Sequence, residues 1–137
     1  MALAAELLGD RWTLLILREA FYGVQRYDDM RQDLSIPRSV LTDRLQKLTA
    51  HGLLARFEYQ EVGDRKRHAY RLTSAGRALA PVMIAMTQWG ERFLIDGPSP
   101  VGITDDRSGD WLTLRLVDEG GKQVSLENAR MARRSPA

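Results

Sequence analysis

The most restrictive feature of the sequence is a helix that is followed at once by a hairpin with a basic turn. The stretch "SIPRSVLTDRLQKLTAHG" places Leu41, Leu45 and Leu48 on one helical stripe, with Pro37 in the first turn and Gly52 as the stop. The following "LLARFEYQEV" alternates as a half-buried strand does, and "RHAYRLT" is typical of a return strand. Because "GDRK" lies between them, the sequence predicts a helix with a hairpin directly behind it.

Two helical segments precede this unit and a long one follows it. "GDRWTLLILREAFYG" is apolar nearly all round, which predicts a buried central helix. In "RYDDMRQDLS", Tyr27, Met30 and Leu34 form one apolar stripe of a short helix. "TSAGRALAPVMIAMTQWGERFL" predicts a long helix that kinks or restarts at Pro81. The order of elements is therefore helix, helix, helix, strand, basic turn, strand, long helix.

The sequence predicts a separate C-terminal extension over residues 97–137. "DGPSPVGITDDRSGD" has the composition of a linker, and Leu112, Leu114 and Leu116 then alternate with polar or smaller residues. Because Gly120 and Gly121 follow as a turn, we expect a second small β-hairpin and a frayed end. The expected fold is α+β, mainly α. A winged helix-turn-helix domain, which includes a long C-terminal dimerisation helix, is expected over residues 1–96, and the extension over 97–137.

The order of elements suits double-stranded DNA. Two short helices meeting at "DLSIPRS" form a helix-turn-helix, and the hairpin behind them makes the unit winged. The major groove of DNA admits one helix, and a basic hairpin can reach the neighbouring backbone or minor groove. We therefore expect a recognition helix at 37–51 and a basic wing at 62–68.

The charge is concentrated in the same part of the chain. Residues 38–71 hold eight basic and four acidic side chains, a net charge of +4, whereas the whole chain carries only +2. A basic segment in a nearly neutral protein is the expected footprint of a nucleic-acid binder. Because the excess is small, charge alone leaves a merely solvated surface as an equal alternative.

Individual side chains of these two elements are candidate DNA contacts. They are Arg38, Ser39, Thr42, Arg44, Gln46, Lys47, Arg65, Lys66, Arg67 and His68. Arg44 is expected to reach either a phosphate or a carboxylate, and His68 either a phosphate or a neighbouring strand. Asp43 would repel DNA unless it accepts from a cytosine amino group. We favour an intrahelical pair between Asp43 and Lys47, which are four residues apart.

Several functional classes are excluded by what the sequence lacks. There is no cysteine, so disulfides, thiolate metal sites and thiol-based sensing are absent, and His51 and His68 alone make a structural zinc site improbable. No catalytic constellation or glycine-rich phosphate loop occurs, so we expect neither an enzyme nor a bound cofactor. Without an apolar run of about 20 residues or a secretory signal, a cytoplasmic protein is expected.

Four motifs in order resemble the HxlR type of bacterial winged-helix regulator, which is related to the MarR type. They are "GDRWTLLILREAFYG", "RYDDM", "IPRSVLTDRLQKLTAHGLLAR" and "YRLTSAGRALAPVMIAMTQWGERF", covering about residues 7–93. The resemblance implies a transcriptional regulator that binds a palindromic operator as a homodimer built from the N-terminal helices and the long C-terminal helix. We expect a repressor. Many members carry an N-terminal sensing cysteine, which "MALAAELLGDRW" lacks.

A regulator without a thiol needs another input, and an aromatic cluster suggests one. Trp12, Phe21, Tyr22, Met83, Met86, Trp89 and Phe93 are candidates for lining a pocket between the first long helix and the dimer helix. The ligand would be a small aromatic or quinone-like molecule bound non-covalently. A stripe of this kind is more often core or dimer interface, and that alternative stays open. A winged-helix module used for protein–protein contacts is the competing functional class.

Overall fold

The computed structural model describes residues 1–99 and 102–132. Within them, the elements are α1 (Ala2–Leu8), α2 (Arg11–Phe21), α3 (Tyr27–Leu34), α4 (Arg38–Ala50), β1 (Leu54–Tyr59), β2 (Arg67–Leu72), α5 (Ser74–Arg77), α6 (Ala80–Phe93) and a short 3-10 helix (Leu126–Asn128). This order confirms the winged helix-turn-helix, with helices followed by a two-stranded antiparallel wing. No helix in the described ranges is both long and apolar enough to cross a bilayer.

The chain divides into two compact units, residues 1–80 and residues from Pro81 onward. The core of the first unit is supplied by α2, α3 and α4, and its fully buried large side chains include Ile16, Leu17, Met30, Leu41, Leu45 and Leu48. The three leucines predicted to anchor α4 are thus confirmed as core residues. The functional boundary expected after residue 96 stays a prediction.

The turn between α3 and α4 is short and well defined. Ser35 ends α3 in the left-handed region, with φ of 49°, and Pro37 precedes the first residue of α4. Between them Ile36 is only 2% exposed, so its side chain packs into the core beneath the turn. This burial fixes how α4 leaves the turn, because a buried β-branched residue has little rotational freedom.

The wing is an antiparallel pair whose register runs from Leu54 opposite Leu72 to Tyr59 opposite Arg67. Leu54 and Tyr70 are buried, which ties the base of the wing to the core. Residues 25 and 26 add a short third contact, which no pattern in the sequence indicates. The amide of Tyr70 donates to the carbonyl oxygen of Gln25 at 2.8 Å, and Arg26 forms an isolated bridge with Ala69.

The predicted long helix is divided into α5 and α6. Thr73 caps α5 by accepting a hydrogen bond from the amide of Gly76 at 3.1 Å. The helix ends at Arg77 and restarts at Ala80, with Pro81 in the new first turn. Proline has no amide proton to donate to residue 77, but it is well tolerated in a first turn. Of the kink and the restart predicted at Pro81, the structure therefore shows the restart.

The predicted C-terminal hairpin is wrong. Within residues 102–132 the structure has no paired strands, only isolated bridges that join Thr104 to Trp111 and Val117 to Gln123. The amide of Leu112 donates to the carbonyl oxygen of Ile103, and the amide of Leu114 donates to the side chain of Gln88. These two amides are therefore not available to a partner strand.

The turn of the predicted hairpin does form. The Oδ1 atom of Asp118 accepts from the amides of Gly120 and Lys122, at 3.0 and 2.9 Å. A turn forms because of its own residue types, here an aspartate and two glycines. An isolated pair of strands is only marginally stable in water unless one of its faces packs against other residues. Leu112, Leu114 and Leu116 have no such face, because each is at least 40% exposed. The predicted frayed end includes residues 133–137, which lie outside the described residues.

Candidate nucleic-acid interface

One face of α4 is anchored in the core and the opposite face is exposed. Arg38, Ser39, Thr42 and Gln46 all lie on the exposed side. Their side chains supply a guanidinium, two hydroxyls and an amide, which are the groups that bind phosphates and base edges. Arg38 and Ser39 also lie in the first turn, where the helix dipole favours an anion.

The N-terminal turn of α4 is held by Tyr27, the first residue of α3. The Tyr27 hydroxyl donates to the carbonyl oxygen of Arg38 at 3.0 Å and lies 2.9 Å from the hydroxyl of Thr42. The Arg38 guanidinium lies over the Tyr27 ring, 5.8 Å from its centroid. The sequence pattern predicts Tyr27 only as part of an apolar stripe. Its polar role gave no signal in the sequence, since the partner residues are 11 and 15 positions away.

Two other predicted contacts on α4 are turned toward the protein. Arg44 donates from Nε to the carboxylate of Asp10 at 3.0 Å and also pairs with Asp43. Lys47 donates to the carbonyl oxygen of Glu6 at 3.0 Å. The predicted pair between Asp43 and Lys47 is therefore wrong, because Asp43 pairs with its neighbour Arg44. Of the two partners considered for Arg44, the structure gives the carboxylate.

Asp10 joins the start of α2 to α4. It caps α2 by accepting from the amide of Thr13 at 3.2 Å, and its second oxygen accepts from the Thr13 hydroxyl. Burial raises the pKa of Asp10, but the hydrogen bonds from Thr13 and Arg44 outweigh it and hold that pKa below its ordinary value. The carboxylate is thus kept ionised, and the ion pair with Arg44 orients α4 on the central helix.

The wing tip presents Arg65 and Lys66 to solvent. Gly63 makes the turn with φ of +81°, and the backbone amide of Arg65 is held by Asp64 at 3.0 Å. The ammonium group of Lys66 lies 3.7 Å from the carboxylate of Glu58, and the Lys66 side chain is 71% exposed. Among the described residues, the structure records no ion pair for the Arg65 guanidinium. Arg65 is therefore the wing cation with least competition from carboxylates.

Arg67 differs from its two neighbours, because two carboxylates hold it. Its guanidinium donates to Asp28 of α3 at 3.1 Å and to Asp64 of the turn at 2.9 Å. Its Nε is buried, and no hydrogen-bond partner for it occurs within residues 1–99 and 102–132. The Arg67 side chain therefore ties the tip of the wing to α3. A phosphate could reach it only by competing with both acids.

Arg26 provides a second tie between the wing and the helices. It pairs with Glu61 at 2.6 Å, and its guanidinium lies 4.8 Å from the centroid of the Tyr59 ring. With the bridge to Ala69, this residue contacts both strands of the wing. His68, also predicted as a DNA contact, is exposed and opposite Glu58 in the register.

The residues predicted to line a ligand pocket fall in both units. Trp12 and Phe21 lie on α2 and are partly buried, and Tyr22, its C-terminal cap, is 46% exposed. The others lie on α6 in the second unit: Met83, Met86, Trp89 and Phe93. Trp89 and Phe93 contact each other, with ring centroids 5.6 Å apart. Whether these residues line a common pocket stays a prediction.

Comparison with known sequences gives a consistent result. The family profile of HxlR-like helix-turn-helix proteins matches residues 7–97. An HTH-type transcriptional regulator of Mycobacterium tuberculosis is 41% identical over 128 residues, covering 91% of this chain and 79% of that protein. A second HTH-type regulator, from Synechocystis, is 38% identical over 90 residues, covering 65% of each chain.

Solved structures extend the similarity to three dimensions. The structure of PA1607, a proposed transcription factor, has a TM-score of 0.79 at 30% identity and covers 95% of this chain and 91% of its own. The Bacillus subtilis transcriptional regulator YodB in its reduced form has a TM-score of 0.59 at 29% identity, covering 69% of this chain and 91% of its own. The family match at residues 7–97 includes the helix-turn-helix unit and its wing.

Proposed function

The chain belongs to the HxlR-like helix-turn-helix family and is a DNA-binding transcriptional regulator, and we propose that it acts as a repressor that binds a palindromic operator as a homodimer. It is a regulator and not an enzyme. The observation that supports the proposal most directly is the exposed face of α4, with Arg38, Ser39, Thr42 and Gln46 outward and three leucines inward. A helix of this kind fits the major groove.

In this proposal the recognition helix and the wing have different roles. Ser39, Thr42 and Gln46 read base edges, whereas Arg38, Arg65 and Lys66 bind phosphates. Arg44, Lys47 and Arg67 act mainly by orienting α4 and the wing, because each already has a partner within the protein.

A homodimer is supported by the exposed stripe of α6. Val82, Met86, Trp89 and Phe93 recur at helical spacing, and each is between 41% and 59% exposed in the single chain. Apolar patches of this kind mark interaction surfaces. A second copy of the chain is the proposed occupant, since two-fold symmetry matches a palindromic operator.

Arg65→Ala and Arg67→Ala separate the two roles within the wing. Log affinity falls as log salt rises. Arg65→Ala should make this slope less steep by about 0.9 per wing, so by about 1.8 for a dimer, without changing the melting temperature. Arg67→Ala leaves Asp28 and Asp64 without their cation, so it should lower the melting temperature as well. Fluorescence anisotropy over a salt series and thermal melts measure both effects.

The matched control for the wing is Arg107→Ala, which removes an exposed arginine from the C-terminal extension. It should leave both the salt slope and the melting temperature unchanged. If Arg65→Ala binds operator DNA with the wild-type slope, the assignment of the wing tip as a phosphate contact is incorrect.

A non-covalent effector remains part of the proposal because the chain has no cysteine. We expect an aromatic or quinone-like molecule to raise the melting temperature and to weaken operator binding, since a ligand that binds one state preferentially shifts the equilibrium toward it. A thermal-shift screen against aromatic metabolites and quinones, repeated with Trp12→Ala, tests this. A hit whose shift is the same in Trp12→Ala would place the ligand elsewhere.

A further inference from the structure

The hydroxyl of Thr42 is exposed on the recognition face and is also in contact with Tyr27. Thr42 Oγ1 lies 2.9 Å from the Tyr27 hydroxyl, and the Tyr27 hydroxyl lies 3.0 Å from the carbonyl oxygen of Arg38. The three oxygens form a chain that begins at the helix backbone and ends at the surface proposed to meet DNA. The direction of the protons along this chain determines what Thr42 can offer to a ligand.

Counting protons gives that direction. A carbonyl oxygen can only accept, so the bond between Tyr27 and Arg38 requires the single proton of the tyrosine hydroxyl. The contact between Tyr27 and Thr42 then needs its proton from Thr42, because a threonine hydroxyl also has one proton to donate. In the arrangement that satisfies both contacts, Thr42 has no proton left for DNA and presents only a lone pair.

We propose that Tyr27 makes Thr42 an acceptor-only reader of base edges. This inference rests on the proposed function, in which α4 lies in the major groove. There, an acceptor can bind the N6 amino group of adenine or the N4 amino group of cytosine. It cannot bind the N7 or O6 atoms of guanine, the O4 atom of thymine or a phosphate oxygen, all of which need a donor. Thr42 therefore selects adenine or cytosine at the position it contacts.

Tyr27 is in this view a positioning residue that acts through Thr42 and touches no base. The Arg38 guanidinium lies over its ring, 5.8 Å from the centroid, and this contact favours the position in which the hydroxyl faces Thr42. Ser39 provides the contrast on the same face. Among the described residues, the structure records no side-chain hydrogen bond for Ser39, so its hydroxyl can either donate or accept. Of these two hydroxyls, that of Thr42 is therefore the one restricted to accepting.

The test is a selection of binding sites from a random DNA library with the wild-type protein, Tyr27→Phe, Thr42→Val and Thr42→Ser. Comparison of wild type with Thr42→Val identifies the position that Thr42 reads. We expect the wild type and Thr42→Ser to prefer adenine or cytosine there, and Thr42→Val to lose the preference. Tyr27→Phe frees the Thr42 proton, so discrimination against guanine and thymine should fall about fivefold, as for the loss of one hydrogen bond.

Each outcome has a definite meaning. The inference is overturned if Tyr27→Phe keeps the wild-type base preference, or if the wild type prefers guanine or thymine at the position that Thr42→Val alters. The same holds if Thr42→Val alters no position while the wild type still selects a defined palindrome, a result that leaves the proposed function intact. A wild-type protein that enriches no sequence overturns both. Thermal melts of all variants show whether the fold is retained.

Discussion

Replacing Gly76 with alanine is expected to destabilise the first unit strongly, by about 3 kcal/mol or more. A β-carbon on Gly76 would lie against the carbonyl oxygen of Leu53, far inside van der Waals contact, and 2.9 Å from a methyl group of Leu72. The close neighbour is backbone, so it cannot move aside as a flexible side chain would. A loss of this size should lower the melting temperature by roughly 10 °C, measured by circular dichroism.

The close approach at Gly76 joins α5 to the junction of α4 and the wing. The Thr73 hydroxyl donates to the carbonyl oxygen of Gly52, and the Thr73 amide donates to the carbonyl oxygen of Leu53 at 3.1 Å. Ser74→Ala is the matched control, because Ser74 lies exposed in the same turn. It should melt within a few degrees of the wild type. Equal melting temperatures for Gly76→Ala and the wild type would show that the junction adjusts without cost.

Replacing Trp89 with serine is expected to dissociate the proposed homodimer. Trp89 is 57% exposed in the single chain and lies in the middle of the α6 stripe between Met86 and Phe93. Large aromatic side chains at the centre of an interface contribute most to its affinity. The variant should sediment as a monomer at micromolar concentration. Its affinity for a palindromic operator should fall roughly 100-fold, because two linked half-site contacts become independent.

Val62→Ser is the control for the dimer. Val62 is a fully exposed apolar residue at the wing tip, outside α6. We expect Val62→Ser to leave the sedimentation coefficient unchanged. A loss of dimer in Trp89→Ser would then result from the position of the tryptophan, and not merely from the loss of apolar surface. Should Trp89→Ser sediment as the wild type does, the α6 stripe is not the dimer interface.

Periodic patterns were sufficient to predict most of the first unit. The leucine stripe placed α4 to within a residue at either end, and strand alternation placed both strands of the wing. These patterns mark the face of a helix or strand that is buried, and the burial of those faces against one another forms the core of the fold. The same reasoning failed for residues 111–127, where the alternating leucines have no packed face and the amides of Leu112 and Leu114 donate to Ile103 and Gln88.

The candidate interface could be located from the sequence, but the roles of its side chains could not. Arg65, Lys66 and Arg67 are equivalent as a run of three cations. In the structure Arg67 is held by Asp28, which is 39 positions away, and Arg44 is held by Asp10, 34 positions away. Such partners come together only when the helices pack, so no local pattern contains them.

The sequence by itself determined the winged helix-turn-helix, the limits of the recognition helix and the position of the basic wing, because helical and strand periods are local properties of the chain. Only the tertiary structure decided which polar side chains of the candidate interface have partners within the protein, as Arg44 and Arg67 do. Tyr27, for example, contacts the hydroxyl of Thr42, which is 15 positions away. The physical reason is that a hydrogen bond depends on distances and directions between residues far apart in sequence, and only packing sets them.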